Sequence, residues 1–322
     1  MTWLLEWPGR ALAWLGRRGT AAVGLSIFVG LLVPGTAAVF KPWLGVTVFV
    51  LLCLSFLRVD PAALWRELRR PGLVLAVAIW IMVAVPLMLG GLFTVLGLRA
   101  VMPGLYFIVM LQVSAPGLMA APAMAALIGL DVALTLAGLI LCTAMTPLTA
   151  AAFTHLFLGV TIIPPVTFGT KLFLLIAGSA LTAAIVRAVV GRSFIEARHD
   201  SIDGLSVIGM FIFAMAAVGG VGAHFMADPW LVIRLLLLAF AVALGMIALT
   251  TVIFLPAGRG RAFAVGILAG YRNLGVMLAA AGFAIPDTAW LYFGLAQFPI
   301  YLLPQFFKPL AKRLTEGHQQ AS

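Results

Sequence analysis

Charge is what this chain has least of. Only 9% of its 322 residues are charged, and Asp and Glu together number ten. An ordinary soluble domain carries roughly 25% charged residues. With 64% hydrophobic residues, this shortage excludes a soluble globular domain and leaves an integral membrane protein. Cysteine is nearly missing as well. Cys53 and Cys142 lie in apolar runs with no CxxC, which excludes a disulfide framework and leaves two small packing residues. The four histidines are scattered, so no metal-ligand cluster is expected. No apolar segment holds a Glu, or a Ser/His/Asp or His/His constellation. The nucleophile, base or metal that an enzyme needs is therefore lacking, and we expect neither an enzyme nor a cofactor. The net charge of +10 does not indicate nucleic acid, because positive charge collects on the cytoplasmic loops of membrane proteins. The expected partner is the lipid bilayer.

What is present is a series of apolar segments punctuated by charges and Gly/Pro. Their approximate limits predict ten spans at 20–38, 43–57, 72–95, 102–128, 131–158, 167–190, 203–225, 229–254, 262–284 and 288–311. A spanning helix needs about 20 residues. The stretch before them, with Trp3, Trp7 and Trp14, reads as an interfacial segment over 1–18. The run to Pro34 ends without a convincing cleavage site, so the first span is expected to stay uncleaved.

The basic residues test this map. One side collects Arg10, Arg17, Arg18, Arg58, Arg66, Arg69, Arg70, Arg187, Arg192, Arg198, Arg259, Arg261, Lys308, Lys312 and Arg313, which is 15 of 20. The other has Lys41, Arg99, Lys171 and Arg234. This bias predicts an even span count with both termini cytoplasmic. The expected location is a bacterial inner (plasma) membrane. Residues 312–322 form a cytoplasmic tail.

Arg272 is the one basic residue that no surface can hold. It sits mid-segment in Gly270-Tyr-Arg-Asn-Leu-Gly275, and no carboxylate lies inside a span away from its ends. A charge at that depth marks a functional site by default. Its expected partner is an anion from solution.

The two halves of the chain echo each other. Span 4 is interrupted at Ser114-Ala-Pro-Gly-Leu-Met-Ala-Ala-Pro122 and span 9 at Gly270-Tyr-Arg-Asn273. A small-residue half-helix follows each break, then Asp131 or Asp287, then a span with Pro147 or Pro304 near its far end. Five spans per half give an inverted repeat, over 19–158 and 159–311. Paired interruptions at equivalent positions point to a transporter binding site. Unwound backbone survives at membrane depth only where it is buried in protein or lines a cavity.

The stretch Pro116-Gly-Leu-Met-Ala-Ala-Pro, continuing to Val132-Ala-Leu-Thr135, resembles the fourth-to-fifth helix junction of the bile acid:sodium symporter family. That junction reads approximately S-P-G-G-T-A-S-N, nine residues, then V-A-L-S. Gly270-Tyr-Arg-Asn-Leu-Gly-Val-Met-Leu-Ala279 resembles that family's G-x-Q-N-S-G-L-A. The resemblance implies an all-α fold of ten transmembrane helices. Spans 3–5 and 8–10 would form a core domain with crossing broken helices 4 and 9. Spans 1, 2, 6 and 7 would form a panel domain. Substrate would bind near the crossing, with alternating access by movement of one domain against the other.

Departures from the family concentrate at its sodium-ligand positions. These fall on Ile81, Ala121, Pro122, Thr135, Leu139, Leu268 and Arg272, so nearly every side-chain oxygen is gone. A hard cation needs several oxygens, and a fixed guanidinium repels it. Arg272 is expected to take over part of the ions' electrostatic role, and sodium is not expected as a partner. The alternative for Arg272 is a structural one, bonding backbone carbonyls of the unwound stretch. The remaining candidates around the site are Gln112, Ser114, Tyr271, Asn273, Gln297, Pro122 and Thr135. Asp131 and Asp287 are expected as helix N-caps, and Thr135, Thr143 and Thr146 as groups that back-bond within their own helix.

The function expected is a secondary transporter for a small organic anion of carboxylate type, sodium-independent, working as uniporter or exchanger. Two alternatives stand beside it: a sodium-coupled symporter with backbone-held ions, and a non-transporting membrane receptor or scaffold. The related arsenite-efflux architecture relies on a thiolate in broken helix 4, where this chain has no Cys.

Overall fold

A computed structural model describes residues 10–16, 29–33, 35–69, 71–159, 164–282, 285–304, 306–307 and 309. Among these residues the structure is helical, with no strand beyond one isolated bridge. Six helices are long and apolar enough to cross a membrane: Thr36–Leu57 (α1), Pro71–Val95 (α3), Val132–Leu158 (α6), Pro165–Val190 (α7), His199–Ala227 (α8) and Pro229–Ala257 (α9). Between α1 and α3 lies a short helix, Pro61–Leu68 (α2), opened by the Asp60 side chain, which accepts from Ala62 N at 3.1 Å. The chain is therefore an integral membrane protein built from helices.

The first segments differ from the sequence expectation. The expected spans 20–38 and 43–57 leave a break near 38–43, yet Pro42 there sits inside a 3-10 turn at Lys41–Trp43 and the helix continues through it. Proline is tolerated there because the first turn of a helical stretch needs no N–H from it. The break falls at Gly35 instead, whose φ of 80° lies in the left-handed region. Residues 1–9, 17–28 and 34, with the expected tail 312–322, lie outside the described residues.

Two further segments are broken helices of the same design. Pro103–Ser114 (α4) stops and Ala121–Ile128 (α5) resumes, with 12 and 8 residues. Arg259–Gly270 (α10) stops and Leu274–Ala281 (α11) resumes, again with 12 and 8 residues. The first break follows from Pro116, which lacks an N–H and drives the residue before it out of helical space. Ala115 is accordingly extended, with ψ 152°. The second break has no proline. Tyr271 is extended, and Asn273 caps α11 by accepting from Val276 N at 3.4 Å. The last helix used below is Asp287–Leu295 (α12).

The chain divides into two compact units. One comprises Met1–Arg58 and Leu174–Val232, the other Val59–Phe173 and Ile233–Ser322. Within the first, α8 packs along α1. The Cβ that Gly209 lacks would stand 2.9 Å from Leu51. The C-terminal carbonyls of α1 are orphaned, as at any helix end. Arg187 donates to Phe56 O and Leu57 O there, while Arg58 pairs with Asp203 at 2.7 Å. Burial pushes the Arg58 pKa down from its usual value, and Asp203 opposes the shift.

The second unit carries the broken helices. Its main core packs α3, α5, α6 and α10 through Val77, Ile81, Ala121, Leu139, Cys142 and Leu268. Gly266 and Gly270 present a bare stripe of α10 to α9. A Cβ at either would meet the Ile247 or Ala243 carbonyl within 3 Å. Small residues four apart permit this close backbone approach between membrane helices. Asp131 caps α6 by accepting from Leu134 N at 3.0 Å, and its other oxygen pairs with Arg261 at 3.1 Å. Asp287 does not act as an N-cap: Pro286 holds the cap position and Asp287 opens the first turn of α12.

Candidate functional site

The two breaks meet. Leu118 N donates to Tyr271 O at 2.7 Å and Asn273 N donates to Pro116 O at 2.8 Å. These bonds flank an antiparallel bridge between Gly117 and Arg272. The unwound backbones thus satisfy each other, as main-chain polar groups at membrane depth must be satisfied. In such a non-hydrogen-bonded pair the opposed Cα atoms lie close, about 4.5 Å apart. Gly117 keeps that space open, and Leu268 packs into the place where its Cβ would be.

Arg272 is 2% exposed. Its Nη1 donates to Ala115 O at 2.7 Å and to Ile81 O at 3.1 Å. Both carbonyls are available for physical reasons. Ala115 lies just past the C-terminus of α4, where carbonyls are orphaned and the helix dipole favours a cation. Ile81 lies in a π-helical turn, Trp80–Ala84, inside α3. Val85 N donates to Trp80 O, which passes over Ile81. The next N–H in π register would belong to Pro86, which has none. The Ile81 carbonyl is therefore left for Arg272.

The rest of the guanidinium is not spoken for. Among the described residues, buried Nε and Nη2 have no hydrogen-bond partner, and no carboxylate pairs with Arg272. These two nitrogens form the side-on edge of the fork, the geometry that grips a carboxylate through two parallel bonds. Two further buried hydroxyls, Ser114 Oγ and Tyr271 Oη, also have no partner among the described residues.

The other sequence candidates are engaged elsewhere. Gln112 Oε1 accepts from Tyr292 Oη at 2.8 Å. Gln297 Nε2 donates to Phe293 O at 3.0 Å. Thr135 donates to Asp131 O at 2.6 Å, and Thr143 and Thr146 back-bond in the same way. Asn273 caps α11, and Pro122 sits in the first turn of α5. Ile81, Ala121, Leu139 and Leu268 all belong to the one apolar cluster beside Arg272, at 0–2% exposure. At the positions where the resemblance places sodium ligands, this chain has apolar side chains, one back-bonded threonine, Thr135, and one guanidinium.

Two contributors are invisible as side chains. Ile81 and Ala115 act through their carbonyls, and only Pro86, five residues beyond Ile81, hints that a carbonyl there goes unused. Compared with known proteins, the chain matches no family model, and no curated protein matches it significantly.

Proposed function

We propose that the protein is a secondary transporter for a small organic anion, with Arg272 as the anion-binding charge and no sodium requirement. The observation that carries this reading is the divided guanidinium: one nitrogen fixed to backbone, and the bidentate edge buried without a partner. A buried charge left unpaired costs about 3–5 kcal/mol. A chain that keeps one there has a use for it. The α11 N-terminus, two residues further on, adds partial positive charge that also favours an anion.

Transport through a ten-span inverted repeat is supported by the matching 12- and 8-residue halves and by their antiparallel crossing. Each broken pair totals 20 helical residues, enough for a bilayer core of about 30 Å at about 1.5 Å per residue. Contacts between loops agree with the proposed sidedness. Asp131 and Arg261 lie in segments assigned to the cytoplasmic face, and they pair. Gly104 and Pro286 are neighbours in segments assigned to the opposite face. A backbone-held sodium ion is disfavoured, since the Ile81 and Ala115 carbonyls are already taken by Arg272.

The test is thermal unfolding of the purified protein against a panel of organic anions, in sodium and in choline buffer. A ligand at 100 times its Kd stabilises the folded state by about 2.7 kcal/mol. Equal stabilisation by a carboxylate in both buffers is expected. Stabilisation that requires sodium overturns the reading.

A further inference from the structure

We infer that the protein is an obligate anion exchanger, which moves one anion inward for each one moved outward. This inference rests on the anion-site reading of Arg272 given above. It concerns what the carrier does when no anion is bound.

Any carrier that works by alternating access must pass its empty site through the membrane to complete net transport. Without a bound anion, that passage would carry the guanidinium of Arg272, 2% exposed beside the apolar cluster of Ile81, Leu139, Cys142 and Leu268. Three routes could relieve that charge, and the structure closes each. The first is an internal counter-ion. In the same unit, Asp131 is tied to Arg261 and to its own helix, Asp60 caps α2, Glu67 is half-buried near the end of α2, outside the long apolar helices, and Asp287 is exposed at the start of α12. No ion pair to Arg272 exists among the described residues. The second is loss of the proton, but a guanidinium is not deprotonated in proteins. The third is withdrawal of the side chain to water. Nη1 is held by two carbonyls, from α3 and from the end of α4.

The empty return therefore carries a desolvated, unpaired cation, which is strongly disfavoured. The loaded passage carries a guanidinium paired through Nε and Nη2, with the charge neutralised. An anion on the far side converts the slow return into the fast one. For a monocarboxylate the moving unit has no net charge, so exchange is insensitive to membrane potential. The same edge selects anions that offer two oxygens at once, as carboxylates do, over a halide.

Binding is tested first, by thermal unfolding with acetate, pyruvate, benzoate, inorganic phosphate and sulfate. The anion that stabilises the protein most becomes the probe. Liposomes containing the protein are loaded with the radiolabelled probe, then diluted into medium with or without the unlabelled anion. Efflux into the anion-containing medium is expected to be at least about tenfold faster, the effect of a modest barrier difference. Arg272→Gln, which removes the anion-binding charge, is expected to lose both the stabilisation by the probe and the accelerated efflux. Should Arg272→Gln not fold, Arg272→Lys keeps the charge and donors for the two carbonyls, and should keep the acceleration with weaker binding. Binding followed by equal efflux into both media overturns the exchange inference and leaves the anion-site reading intact. Binding by none of the five anions removes both.

Discussion

Leu268→Glu places a carboxylate one helical turn before Arg272, on the side chain that packs against Gly117. Gly117 is the residue opposed to Arg272 in the bridge, so the new group supplies an internal counter-ion. The variant is expected to fold but to lose the rise in unfolding midpoint that an anion gives the parent protein. A full anion-dependent rise in the variant would show that the guanidinium edge is not where the anion sits. At this scale the sequence was informative for one reason. A cation in an apolar segment has no cheap place to go, so Arg272 announced itself. Its partners did not. A carbonyl belongs to every residue, and nothing in the letters Ile81 and Ala115 distinguishes theirs from the others. Thr135 back-bonds to Asp131 as expected from its place in a helix, but the hydrogen bond of Gln112 to Tyr292 depends on packing that residue types do not record.

Among the elements, α6 and α10 are joined at one end by a single acidic residue with two tasks. Asp131 caps α6 through one oxygen and holds Arg261 through the other. Arg261→Gln removes only a partly exposed ion pair, worth about 0–1 kcal/mol. Asp131→Ala removes the cap as well, which costs about 0.5–2 kcal/mol more. Chemical or thermal unfolding should rank the two variants in that order. Equal effects would show that the cap contributes nothing. The breaks in the two 12-and-8 helices were legible because proline, glycine and a lone Arg-Asn pair interrupt otherwise uniform apolar text. The division between the first two segments was not. Pro42 signals a break in general, and only the local 3-10 geometry shows that the helix runs through it.

For the whole molecule, sidedness is the property most open to direct attack. Ala197 and Ala227 are both exposed, and the ten-span arrangement puts them on opposite faces. In intact spheroplasts, Ala227→Cys should react with a membrane-impermeant maleimide. Ala197→Cys should react only after the membrane is permeabilised. The native Cys142 is buried and Cys53 half-buried within a helix, so the background should be small. Labelling of both sites from one side would rule out the arrangement. The class of the molecule was legible from composition alone, because a bilayer tolerates so few charges. Composition does not say which residues form each compact unit, since that depends on contacts between segments far apart in the chain; a division into spans 3–5 with 8–10 and spans 1, 2, 6 and 7 was expected only from the resemblance.

The wide turn in α3 has a consequence in chain length. Between Trp80 and Val85 the helix holds one residue more than ordinary winding would use. Delete Trp80, the residue ahead of Ile81, and the turn closes, with the flanking stretches kept in phase and Val85 N set opposite Ile81 O. The carbonyl at position 81 then finds an N–H within its own helix, and Arg272 loses one of its two acceptors. The surplus residue and the arginine are therefore a matched pair in inheritance. Descendants of a common ancestor that shed the extra residue should also have shed the arginine, and those that keep one should keep both.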